Sequence, residues 1–394
     1  MVEIKGAVSR RTLLGAMTAT ATAATLPLTA GAPSAEATPQ ARPDLLYVGS
    51  WNGGQVHGVA FDPVQGVLTS NGPVAQVSSG WVTAHPDRPL LYVGSQLNGG
   101  IVTALAVDRT TGALTRLGQV STDGGATAGG GLSYLGVDRP SRTLLVANFE
   151  AGLATSLPIH RDGTLGAPVS VVVDTGSGPS PRQSGPHPHQ VVVAPGRRHA
   201  LVPDFGADRV FVHGFDGTTG ALSPAETGPG AYATDAGAGP RRLVFHPDGR
   251  KAYLLTELTA ELQLLDWNGR SGELAHRQSL AIDSPDFTGT KSGAELAISR
   301  DGRFVYASSR GENTLVVYEI ERRTGSLSLL QRIPSGGLKP WSFTVHPSGR
   351  WLLVANEASS TVDVFAVDPR SGLLTGTGNS LPLPNPDSIA VCAR

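Results

Sequence analysis

An imidazole, a carboxylate and two guanidiniums can together move a proton and hold an anion. His189, Glu257, Arg241 and Arg310 offer that set at corresponding points of a repeating pattern. When the repeats are aligned by their turns, His189 and Arg241 fall at the start of successive first strands, and Glu257 and Arg310 at the end of successive second strands. First and second strands joined by a tight turn run antiparallel, so the start of one lies beside the end of the other. All four residues are therefore expected at one mouth of whatever the repeats enclose. Charges at strand ends are often simply solvated; convergence from three neighbouring repeats is what singles these out. Other second-strand ends carry Trp51, Phe149, Phe205 and Glu357, which could wall a pocket, and His187, two residues before His189, could share its face. The run Pro186-His187-Pro188-His189 is too stiff, and too poor in further ligands, to suggest a metal.

The elements that must position these residues can be read directly. An apolar strand, a Pro/Asp/Gly turn, a second apolar strand, a polar loop and a third strand recur seven times after about residue 44. The second strands include Leu46-Tyr47-Val48-Gly49, Leu91-Tyr92-Val93-Gly94, Leu144-Leu145-Val146-Ala147 and Leu352-Leu353-Val354-Ala355. They repeat at roughly 50 residues, close to a propeller-blade period. The turns before them are regular too, as in His246-Pro247-Asp248-Gly249-Arg250 and His346-Pro347-Ser348-Gly349-Arg350. The histidines of these turns, with His85, sit at the far end of the strands and read as structural. No helical periodicity of useful length follows, so the pattern predicts an all-β, seven-bladed β-propeller of four-stranded blades. Residues 44–394 begin with a second strand and end with a lone first-strand pattern, Pro386-Asp387-Ser388-Ile389-Ala390-Val391. Pairing these two ends would complete a blade, close the ring and remove free sheet edges.

Composition narrows the partners. Charged residues are 16% and the net charge is −1, so no basic nucleic-acid surface is present. Cys392 is the only cysteine, which excludes an intramolecular disulfide and a cysteine metal cluster. The N-terminus reads as an address: Ser9-Arg10-Arg11-Thr12-Leu13-Leu14, a mildly apolar Ala/Thr/Leu run, then Ala35-Glu36-Ala37. Paired arginines, a weak apolar stretch and small residues at a cut site predict a twin-arginine export signal over 1–37, with 38–43 as linker. The apolar run is too short to span a membrane. A periplasmic or extracellular monomer is expected, because a closed ring needs no partner strand.

The residues also resemble a known group, the 6-phosphogluconolactonase-type propellers, a lactonase family related to fungal carboxy-muconate lactonizing enzymes. The resemblance covers the chain after the signal and is carried by Gly185-Pro186-His187-Pro188-His189, Gly239-Pro240-Arg241, Phe245-His246-Pro247, Glu257-Leu258, Gly293-Ala294-Glu295-Leu296 and Ser309-Arg310-Gly311. It implies catalytic roles for His189, Arg241, Glu257 and Arg310, the positions that blade alignment selects, and adds Glu295 and Trp341 as substrate-binding positions. Three departures stand out: Trp341 where the family commonly has Arg, Thr256 where it has Asn, and Ser95-Gln96 where an Asn-Glu pair is usual. Loss of one arginine, together with export, argues against a phosphorylated sugar lactone.

The expected activity is hydrolysis of a sugar-derived or carboxylated lactone, or a related organic anion, without metal or other cofactor. Arg241 and Arg310 would hold a carboxylate or the developing oxyanion; of Glu257 and His189, one would activate water and the other protonate the leaving alkoxide. Two alternatives use the same mouth: a muconate-type cycloisomerase and a non-catalytic ligand-binding propeller.

Overall fold

The computed structural model describes residues 42–95, 97, 99–123, 131–224, 228 and 230–392. The expected export signal, the start of the linker and Gln96 lie outside these residues. The described chain is all β, seven antiparallel sheets in sequence around a ring. Blade 5 shows the unit: Pro240–Phe245, Lys251–Thr256, Glu261–Asn268 and Glu273–Ala281 pair in that order, from the channel outward. The turn between its first two strands needs Gly249 at φ +71°, a left-handed conformation that costs glycine little.

The two chain ends meet as expected. Pro386–Cys392 pairs antiparallel with Asp44–Ser50, so blade 1 takes its first strand from the C-terminus and the other three from the N-terminus. Seven apolar clusters bridge neighbouring blades in cyclic order. The last joins blade 7 (Trp351, Leu353, Val362) to blade 1 (Leu46, Val48, Phe61) and completes the ring. Second strands lie between two neighbours and are buried on both faces, as in Thr143–Asn148, Phe304–Ser309 and Trp351–Asn356. This burial is why they read as unbroken apolar runs. Outer strands such as Leu327–Pro334 face water along most of their length.

Buried hydroxyls tie blade to blade as well. The Tyr253 hydroxyl donates to the carbonyl of Gly325 at 2.9 Å, from a second strand to the outer turn of the next blade. Tyr253→Phe is expected to cost about 1 kcal/mol, lowering Tm by about 2 °C in a thermal melt followed by circular dichroism.

Blade 4 departs from the regular pattern. Its first strand is only Val192–Val193, and its outer edge is split into Leu222–Ser223 and Ala231–Ala233, both paired with Arg209–Phe215. The prolines at 186, 188 and 195 explain the short first strand, since they cannot donate to a ladder.

Candidate active site

One backbone hydrogen bond recurs at the mouth of six blades. The N–H just past the end of the second strand donates to the carbonyl of a residue just ahead of, or opening, the first-strand segment. The pairs are Trp51 to Asn385 (2.8 Å), Phe149 to Gly131 (3.1 Å), Phe205 to His187 (2.9 Å), Glu257 to Gly239 (2.7 Å), Arg310 to Ser292 (2.7 Å) and Glu357 to Lys339 (3.0 Å). This bond places the side chains of second-strand ends and first-strand starts around one rim, as the turn alignment predicts.

A second device aims the first-strand residues. The ladder skips a residue between Pro240 and Arg242, and likewise between Pro340 and Ser342 and between Leu132 and Tyr134. Such a bulge leaves the extra residue unpaired and turns its side chain out of the strand's alternation. Arg241 and Trp341 are the skipped residues, so both turn toward the opening. Gly239 precedes the bulge at φ +66°, where a Cβ would meet the Phe205 ring at 2.9 Å. His189 is held by its backbone N–H to the carbonyl of Pro203 (2.9 Å). The Asp204 carboxylate pins the preceding His187 N–H at 2.8 Å.

The mouth opens on a cavity of about 460 Å³ lined by all four expected catalytic residues and by Trp51, Phe149, His187 and Trp341. Glu257 is the hub. Its Oε2 lies 2.8 Å from Arg310 Nη2 and 3.4 Å from Arg241 Nη1, and its Oε1 lies 2.7 Å from Arg182 Nη2. Burial pushes this carboxyl up, but the guanidiniums of Arg310, Arg241 and Arg182 outweigh it and bring it down to about 2. Arg241 Nε donates to the carbonyl of Ala294 at 2.7 Å, and its Nη1 faces His189 Nδ1 at 3.4 Å. A guanidinium can only donate, so a neutral His189 ring carries its proton on Nε2. Burial, then the charges of Arg241 and Arg242, hold His189 well below 6.5, so it is neutral at ordinary pH. Arg310 donates to Ser292 Oγ at 3.1 Å and lies 4.6 Å from the centre of the Trp341 ring.

The cavity has two sides. Blades 4, 5 and 6 supply the charged one. Blades 7, 1, 2 and 3 supply aromatic surface, with Trp341 and Trp51 in contact at 4.9 Å and Phe149 stacked on His187 at 4.6 Å.

Three expected pocket residues stand behind the wall instead. Phe205 is buried beneath Arg182, 4.7 Å from its guanidinium. Glu295 is taken up by Arg242 at 3.1 Å. Glu357 pairs with Lys339 Nζ at 3.0 Å. Phe205 and Glu357 lie at second-strand ends, as the alignment expects, but in all three cases a neighbouring cation draws the side chain out of the cavity.

The sequence reading also missed three contributors. Arg182 arrives from an irregular loop with no strand register to betray it. Arg242 lies beside Arg241, and strict alternation would turn it away; the bulge brings both to the cavity wall. Trp81 occupies the corresponding position in blade 2.

The chain is similar to known lactonase-family proteins. The chain is 30% identical over 353 residues to a 6-phosphogluconolactonase of Bacillus subtilis, covering 88% of this chain and 97% of that one. A 6-phosphogluconolactonase of Serratia proteamaculans is 29% identical over 291 residues, 74% of this chain and 81% of that one. Among solved structures, a periplasmic gluconolactonase of Pseudomonas aeruginosa superposes with a TM-score of 0.80 at 30% identity, covering 89% of this chain and 99% of that one. The family model described as lactonase, 7-bladed beta-propeller, matches residues 45–391, and the chain belongs to that family.

Proposed function

We propose that this protein is an exported lactonase that opens a sugar-derived or carboxylated lactone with water, at the cavity holding His189, Arg241, Glu257 and Arg310. The observation that carries the reading is the side-by-side placement of the basic nitrogen of His189 and the Arg241 guanidinium, 3.4 Å apart. When Nη1 of Arg241 passes from Nδ1 to a lactone carbonyl oxygen, Nδ1 is freed to accept from a water beside the carbonyl carbon.

The charge states narrow the division of labour. Glu257 is ionised and His189 neutral, so at rest neither holds a proton for the leaving oxygen. The proton given to the ring alkoxide is therefore the one taken from water. His189 is the better carrier, because both oxygens of Glu257 face cations. Water oxygen bonds to the carbonyl carbon as His189 takes its proton, and the C=O pair moves onto oxygen against the guanidinium. The ring C–O bond then breaks and His189 returns the proton to the alkoxide. Fixed positive charge aimed at a developing oxyanion in a partly dry cavity is worth several kcal/mol.

An unphosphorylated substrate is favoured by Trp341, by the export signal read at residues 1–37, and by similarity to a periplasmic gluconolactonase.

The test is release of acid from a panel of lactones, corrected for spontaneous opening. The base form of His189 persists wherever pH exceeds its lowered pKa, so kcat/KM is expected to stay flat as pH falls through 6.5 and to decline only well below it. An acid limb centred on 6.5 would assign the base elsewhere, and binding of a lactone without turnover would make the protein a receptor.

A further inference from the structure

Arg182 reaches Glu257 from a stretch of chain that belongs to no strand, so something other than a sheet ladder must hold it there. The next residue supplies the anchor. Gln183 is fully buried, and its Nε2 donates to the carbonyl of Phe205 at 2.7 Å and to Asp208 Oδ1 at 2.7 Å. Its backbone closes a turn as well: the N–H donates to the carbonyl of Ser180 at 2.8 Å, and the carbonyl accepts from the Gly178 N–H at 3.0 Å. A Cβ at Gly178 would meet the Gln183 amide at 2.5 Å and Asp208 Oδ2 at 2.6 Å, so the loop lies directly against that carboxylate.

Asp208 is buried and has a second set of partners. Oδ1 also accepts from the Gly239 N–H at 2.8 Å, and Oδ2 accepts from the Gly237 N–H at 2.6 Å. Gly239 stands two residues before Arg241 and leads into the bulge that turns it toward the opening. One carboxylate therefore joins the loop that carries Arg182 to the segment that carries Arg241. Those two guanidiniums meet the same Glu257 carboxylate, at 2.7 and 3.4 Å. Asp208 makes these bonds from φ +52°, a left-handed conformation that aspartate and asparagine tolerate better than most residues.

We infer that Asp208 is a positioning residue of the site: it sets the Arg182 loop against the Arg241 bulge, so that both guanidiniums converge on Glu257. The inference rests on the lactonase reading above. Asp208 does not line the cavity and takes no part in the bond changes; it acts through the two arginines. A displacement of about 1 Å in a group that orients substrate can lower the rate about a hundredfold, which gives such a tether its leverage.

Two variants and a double-mutant cycle test this with glucono-δ-lactone as substrate. Asp208→Gly suits the backbone and removes all three hydrogen bonds. Asp208→Asn suits it too and keeps one acceptor oxygen for Gln183 and Gly239, but turns an amide N–H toward that of Gly237. The glycine variant is expected to lose about a hundredfold in kcat/KM, and the asparagine variant only about tenfold. Part of each loss runs through Arg182, so in an Arg182→Gln background the glycine substitution should cost about fivefold less than in the native one. Where the glycine variant does not fold, the asparagine variant is judged by the same comparison. Equal losses in both backgrounds, or a folded variant with kcat and KM within about threefold of native, would reduce Asp208 to a stabiliser of the fold and overturn the assignment, leaving the lactonase reading intact. A native protein that opens no lactone at all would remove both.

Discussion

A lysine in place of Arg241 is expected to lower kcat/KM for the substrate lactone by about a hundred- to a thousandfold while the protein still folds. The guanidinium does two things from one plane: Nε holds the carbonyl of Ala294, and Nη1 lies between His189 and Glu257. An ammonium can satisfy Glu257 or reach toward the ligand, but it has no fixed fork to do both. The loss should therefore fall mainly on kcat. Steady-state kinetics on a variant with native circular dichroism checks this; a loss confined to KM would mean that Arg241 only binds.

Replacing Glu257 with glutamine should damage both activity and stability. Three guanidiniums converge on this carboxylate, two of them buried. Removing its charge leaves Arg241 and Arg310 uncompensated in a poorly solvated wall, a change that costs about 3 kcal/mol or more. The pH dependence gives the same scale. The folded carboxyl sits at about 2 against 4.5 for the free group, so its stabilisation is fully present above pH 4.5 and is lost as pH falls toward 2. That shift corresponds to about 3 kcal/mol. The glutamine variant should therefore lose its excess stability at neutral pH and show a shallower acid decline than the native protein. Its kcat should fall by at least about a hundredfold, because the guanidinium that meets the oxyanion loses its anchor. Unchanged melting at neutral pH would show that the three arginines are solvated well enough not to need Glu257.

The ring itself was legible because blade packing writes its own signature. Second strands buried on both faces must be apolar throughout, and the turns before them need proline and glycine at fixed offsets. Ring closure followed from the unmatched patterns at Leu45 and Ile389, which do pair within one sheet. The shared cavity of His189, Arg241, Glu257 and Arg310 followed from the same alignment, since strand ends in neighbouring blades meet one rim. What alignment could not supply was side-chain direction. Phe205 and Glu357 have the expected rim positions but turn to Arg182 and Lys339, and Glu295, proposed from the family resemblance alone, turns to Arg242. Arg242 was overlooked because period-two reasoning fails at a bulge. Arg182 was overlooked because an irregular loop carries no period at all.

The most direct test of the account is hydrolysis in isotopically labelled water. Native protein should place one solvent oxygen in the new carboxylate of the opened lactone, at a rate that collapses in His189→Gln while the melting curve stays native. Ring opening or closure with no solvent oxygen incorporated, or unchanged incorporation rates without the imidazole, would contradict water attack guided by His189 beside Arg241.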